Sequence, residues 1–195
     1  GYKYKPNFDL PSYDHNFIDK ILKHKGGVRA LALLEVNEFY KAAREFRKII
    51  PKFDVKDYPQ LLSYTSKNNM PGLTFRLAAI LRNDHNKILL GGLYPIPTWN
   101  IATSDLKDKA LLYAIARQES GFNPRARSSS KAMGVLQIIP STAAFVMKNR
   151  EYRLRRSKNH LLYNPPHNIS IGSKYIKFLF SLPIVNNDLM WMLAS

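Results

Sequence analysis

The sequence predicts an all-α (mainly α) protein in two parts, on three observations. Apolar residues recur at three- and four-residue spacing through most of the chain, the mark of helices with one buried face. The breaks between these stretches hold Pro, Gly or Asn, residues that start or stop helices. No stretch before Gly91 alternates as a strand would, and at most one short strand fits after it.

Residues 1–15, with Pro6 and Pro11, read as an irregular lead-in. Asn16 is the expected cap of a first helix with Phe17, Ile18, Ile21 and Leu22 inward, ended by Gly26 and Gly27. A second helix covers V-R-A-L-A-L-L-E, from Val28 to Glu35. Asn37 then caps a third, with Phe39, Ala42, Ala43, Phe46, Ile49 and Ile50 on one face and Pro51 as its stop. Two more fall near Pro59–Ser66 and Leu73–Arg82. Short connections between such helices suggest antiparallel hairpins, each covering the apolar face of the next. Residues Gly91–Thr103, with two Gly and two Pro, form an apolar, packed connector. The expected parts are therefore 1–103 and 104–195.

The second part opens with a helix capped by Ser104, with Asp105 and Asp108 in its first turn. Gly121 ends it, and Pro124 follows. An irregular loop leads to a helix capped at Ser141 and running to about Met147. A basic segment, Lys148–Lys158, comes next. Asn168 caps a helix with Ile169, Gly172, Ile176 and Phe180 as its stripe and Pro183 past its end, and a last helix begins near Asn187.

Composition narrows the function. With 195 residues and 45% apolar content the chain can bury a core. No apolar run nears the ~20 residues that cross a bilayer. Beginning at Gly1 without a signal peptide, it reads as a mature or excised fragment. The absence of Cys excludes disulfides and thiolate metal sites, and His15, His24 and His85 lack ligand spacing, so no metal and no cofactor is expected. A net charge of +16 points to an anionic partner. Both parts are basic, with 16 Lys and Arg against 9 Asp and Glu before Asp105, and 14 against 5 from there on.

One carboxylate stands out. Leu112, Ile115, Ala116 and Glu119 share a helix face, which places an acid on an otherwise apolar stripe in the last turn. Burial and the helix C-terminus would both favour a carboxyl that keeps its proton, and such an acid can protonate a glycosidic oxygen. Only Glu151 and Asp188 follow it, and no catalytic triad or phosphate-binding loop accompanies it. A glycosidase usually needs two carboxyls. A lone one favours chemistry in which the substrate supplies the second group, such as an acetamido oxygen or an internal hydroxyl.

The segment A-I-A-R-Q-E-S-G-F-N-P, then Ser128, then G-V-L-Q-I-I-P-S-T-A resembles the catalytic domain of the soluble lytic transglycosylases. Glu119-Ser120 matches that family's E-S motif and Gly134–Gln137 its G-L-M-Q motif, with Val135 and Leu136 as departures. N-I-S-I-G-S-K-Y-I, from Asn168 to Ile176, is similar to the helix that follows. The resemblance implies a lysozyme-like α domain over 104–195, preceded by a helical, superhelix-like linker domain. It implies a periplasmic enzyme that cleaves peptidoglycan between N-acetylmuramic acid and N-acetylglucosamine, leaving 1,6-anhydro ends. Glu119 would be the catalytic acid and then base. Ser120, Ser128, Gly134, Gln137 and Ile139 would form the substrate-binding set. Peptidoglycan glycan strands are the expected partner of a monomer, with no nucleic acid and no transmembrane segment. The family's third motif, A-Y-N-A-G-P, has only its threshold here, at Ala194-Ser195, so the domain reads as C-terminally truncated. The competing readings are a goose-type lysozyme-like hydrolase, a basic nucleic-acid-binding module and a glycan binder without turnover.

Overall fold

A computed structural model of the chain describes residues 6–101, 105–153, 158–186 and 188–194. It is all-α: among the described residues there is no strand, only isolated antiparallel bridges from Met133 to Arg127 and Ile138. The chain divides into two compact units, Gly1–Thr98 and Trp99–Ser195. The division falls inside the Gly91–Thr103 stretch, ahead of the junction expected after Thr103.

The first unit holds α1 (His15–Leu22), α2 (Lys25–Glu35), α3 (Phe39–Ile49), α4 (Tyr58–Lys67), α5 (Pro71–His85) and the single turn α6 (Leu90–Leu93). Its core gathers Phe17 and Ile21 of α1, Phe46 of α3, Leu61 and Leu62 of α4 and Leu77 of α5, with the Tyr64 ring among those of Tyr13, Phe17 and Phe46. The stripe expected on α3 is buried at Ala42, Ala43, Phe46 and Ile49. Pro51 lies in a 3-10 turn, Ile50–Lys52, that stops the helix. Of the connector's apolar residues, Leu93 is buried, but Tyr94 and Ile96 are exposed.

Three expectations for this unit are corrected. Asp14, not Asn16, caps α1, accepting the Phe17 N–H at 3.0 Å. Asn37 is not the cap of α3: it turns the chain after α2 at φ 59°, a left-handed conformation that Asn tolerates, and Glu38 precedes α3. Gly26 and Gly27 do not end α1 but lie buried inside α2. A Cβ on Gly27 would stand 1.9 Å from the Ile21 carbonyl oxygen, and one on Gly26 2.8 Å from Ile49 Cγ2. The pair therefore lets α2 lie close to the end of α1 and to α3. Gly27→Ala is expected to lower stability by about 1–3 kcal/mol, read as an earlier unfolding midpoint by circular dichroism.

The second unit holds α7 (Leu106–Ser120), α8 (Pro140–Val146), α9 (Pro165–Phe180) and α10 (Leu189–Ala194). Asp105 caps α7 by accepting the Lys107 N–H at 2.8 Å; Ser104, the expected cap, lies outside the described residues. Ser141 is not a cap, because Pro140 already occupies the first position of α8. Nor is Asn168, since α9 starts earlier: Asn164 accepts the His167 N–H at 3.0 Å and two prolines open the helix. Asn187, the expected start of α10, also lies outside the described residues. Among the described residues no helix is long and apolar enough to cross a membrane.

Candidate active site

The site is built where α7 ends. Gly121, at φ 55°, closes the helix by donating its N–H to Arg117 O at 3.1 Å. Glu119 lies in that last turn. Leu112 and Ala116 on its face are buried and Ile115 is half-buried, but Glu119 itself is exposed. The burial expected from the helix pattern is therefore absent: the apolar stripe surfaces in its final turn. No side chain among the described residues hydrogen-bonds or ion-pairs with the Glu119 carboxylate. It borders a cavity of about 460 Å³ that is otherwise largely apolar, shared by Leu111 and Ile115 of α7, Leu136 and Ile138 of the next loop, and Gly172 and Tyr175 of α9.

The loop carrying Leu136 and Ile138 is a tight reversal. Met133 and Ile138 exchange two backbone hydrogen bonds of 3.0 Å, and residues 134–137 turn between them. The turn needs two left-handed residues, Gly134 at φ 78° and Gln137 at φ 47°. Ser120, next to the acid, ties this loop to α7: its hydroxyl lies 2.8 Å from Val135 O and 3.1 Å from Ala116 O. Glu119 and the G-V-L-Q turn are thus joined through one side chain.

Residues 100–194 match the family model described as "Transglycosylase SLT domain". Over these residues, just under half of the chain, it matches that family. Among curated proteins, the chain is 38% identical over 102 residues to membrane-bound lytic murein transglycosylase E of Buchnera aphidicola, covering 49% of this chain and 46% of that protein. It is 40% identical over 67 residues to the soluble lytic murein transglycosylase of Escherichia coli, covering 34% of this chain and 10% of that protein. The chain thus spans less than half the length of these relatives. Among solved structures, the 70 kDa soluble lytic transglycosylase from Escherichia coli superimposes with a TM-score of 0.70 at 21% identity, over 95% of this chain and 30% of that one. The same enzyme in complex with bulgecin A gives 0.71 at 22% identity, with equal coverage. An inactive mutant of lytic transglycosylase Slt from Pseudomonas aeruginosa gives 0.64 at 20%, over 90% of this chain and 28% of that one.

Within the SLT domain the expected residues fall into two groups. Glu119 lines the cavity. Ser120, Ser128, Gly134 and Gln137 make hydrogen bonds that build the adjoining loops. Ser128 Oγ accepts the Ala132 N–H at 3.0 Å, and Gln137 Nε2 donates to Gly134 O at 2.8 Å. Ile139 stands exposed at the start of α8. Among the described residues no group of His, Asp and Glu could hold a metal ion.

The residue that sequence reasoning misplaced is Asn168. It is fully buried inside α9, and its amide reaches the loop backbone. Oδ1 accepts the Leu136 N–H at 2.8 Å, while Nδ2 donates to Met133 O and Leu162 O at 2.9 Å each. A signal was present: an Asn on the apolar face of a helix, one turn before Gly172, must either be used or be costly. Nearby, Tyr152 Oη and His167 Nε2 approach to 2.7 Å, which ties the 3-10 turn at Arg150–Tyr152 to α9. Burial, with a smaller contribution from Lys174, holds the His167 pKa below its usual value.

Proposed function

We propose that this chain is a lytic transglycosylase of peptidoglycan with Glu119 as its single catalytic acid and base. The observation carrying this reading is the join made by Ser120, which fixes the E-S helix end to the G-V-L-Q turn at 2.8 Å. An uncommitted carboxyl on a rigid helix end, beside a cavity, suits proton transfer to a bound strand. The Pseudomonas neighbour supports it, since that inactive mutant carries Gln in place of a Glu.

In the proposed reaction Glu119 gives its proton to the oxygen linking N-acetylmuramic acid to N-acetylglucosamine, and the bond from C1 to that oxygen breaks. The Glu119 carboxylate then takes the proton of the muramic acid C6 hydroxyl, whose oxygen bonds to C1. No water is consumed, and the product is a 1,6-anhydro end. Ser128, Gly134, Gln137 and Ile139 bind the strand, with Ser120 supporting the turn. The charge of +16 suits the carboxylates of peptidoglycan stem peptides. The place of action is the periplasm, and the helical first unit serves as the linker preceding the catalytic module.

Mass analysis of muropeptides released by the chain tests this. Anhydro ends, lighter by one water than reducing ends, are expected. Reducing ends alone would make the chain a hydrolase of the goose-type lysozyme kind.

A further inference from the structure

We propose that Asn168 is a positioning residue of this site, holding the wall of the cavity that Glu119 shares. An Asn in a helix interior is neutral to unfavourable on propensity alone, because its side chain competes for backbone groups. Here that competition is directed outward. The fully buried amide uses both N–H donors and its carbonyl on three backbone groups of two other segments. Met133 immediately precedes the turn and Leu136 lies within it, so the amide holds both the entry and the interior of the turn.

Two glycines confirm how closely these parts approach. A Cβ on Gly134 would stand 2.5 Å from Asn168 Nδ2 and 2.0 Å from Leu162 O. One on Gly172, a turn beyond Asn168 on α9, would stand 2.3 Å from Leu136 Cδ1. Helix α9 therefore grips Leu136 twice, by its backbone N–H through Asn168 and by its side chain over Gly172. Leu136, which α9 grips, and Ile138, two residues further on, line the cavity with Glu119. Ser120 holds the same turn from α7 at Val135 O. Register between acid and wall is set by these two side chains, and Asn168 supplies three of the bonds. No other residue type offers one acceptor and two donors at this reach: Asp lacks the donors, and Leu would leave three buried backbone groups with fewer partners.

The turnover arm of the test rests on the proposed function; the exchange arm does not. Asn168→Ala is made in the full chain and assayed on peptidoglycan well below its own unfolding midpoint, where the protein is folded. The expected result is a kcat lower by roughly 10- to 100-fold with a smaller change in KM, since misplacement of a wall by about an ångström costs that much. Hydrogen exchange at the Leu136 amide should accelerate by about 10-fold or more, while exchange along α7 stays as in the parent. Unchanged Leu136 exchange, or full turnover by the folded variant, overturns the proposal. If the parent chain does not cleave peptidoglycan, the proposed function falls, and the Leu136 exchange alone decides whether Asn168 positions the turn. Should Asn168→Ala not fold, Asn168→Asp is read instead. It keeps the volume and the acceptor but loses both donors, so exchange at Leu136 should be faster than in the parent at about pH 8 and partly restored at about pH 5, where full burial against two carbonyl oxygens keeps the carboxyl protonated and able to donate. No difference from the parent at either pH overturns the proposal.

Discussion

Glu119→Gln is expected to reduce peptidoglycan cleavage by at least about 10²- to 10⁴-fold, the usual worth of a positioned general acid and base. Gln has the same shape but neither gives nor takes a proton under assay conditions. Because no side chain among the described residues bonds to the Glu119 carboxylate, the substitution breaks no ion pair, and the unfolding midpoint should stay where it is. Retention on insoluble peptidoglycan should survive, since the strand-binding groups are untouched. Muropeptide release against time, together with co-sedimentation, separates these effects. Cleavage at the parent rate would move the proton donor elsewhere. Glu151 is a poor substitute, because Lys158 pairs with it and holds its pKa below the usual value.

Gly134→Ala is expected to cost about 3–5 kcal/mol, the largest loss of stability from a single methyl group in the second unit. Two effects combine. A residue with a Cβ pays about 1–2 kcal/mol to sit in the left-handed region, here at φ 78°. The same Cβ, 2.0 Å from Leu162 O and 2.5 Å from Asn168 Nδ2, also forces apart the amide that satisfies Leu162, Met133 and Leu136. Both tryptophans, Trp99 and Trp191, belong to the second unit, so their fluorescence in a denaturant titration reports on it. Gly134→Asn distinguishes the two causes. Asn tolerates a positive φ, so a variant as unstable as Gly134→Ala shows that close approach, not backbone conformation, sets the requirement.

Helix positions were legible in the sequence where one physical cause acts alone. The stripe of α3, the proline stop at Pro51 and the glycine stop at Gly121 each have a single local meaning. Asparagine does not. It caps helices, adopts left-handed backbone and bridges buried carbonyls with nearly equal ease. Asn37 and Asn168 accordingly looked like caps, but one turns the chain and the other bridges α9 to the Gly134 loop. The Gly26-Gly27 pair misled for a related reason: a glycine demanded by a neighbouring helix looks, in sequence, like one that ends its own.

The candidate site was legible as chemistry rather than as geometry. Glu119, Ser120 and the G-V-L-Q turn could be read from their residue types and order. That Glu119 would be exposed could not, because periodicity gives the side of a helix but not where its neighbours stop covering it. The contacts that hold the turn come from both α7 and α9 and involve backbone atoms, which leave no pattern in composition.

The two side chains that clasp the turn also impose an order of events on the folding chain. Ser120 closes on Val135 across 15 residues, whereas Asn168 reaches Leu136 across 32. Longer loops cost more entropy to close, so the local contact can form earlier than the distant one. During synthesis the carboxylate emerges with its helix, while its cavity wall waits for α9. A partly unfolded molecule that releases α9 reverses the sequence, shedding the wall while the acid stays in place. The cavity wall thus depends on a residue that lies 32 positions further along the chain.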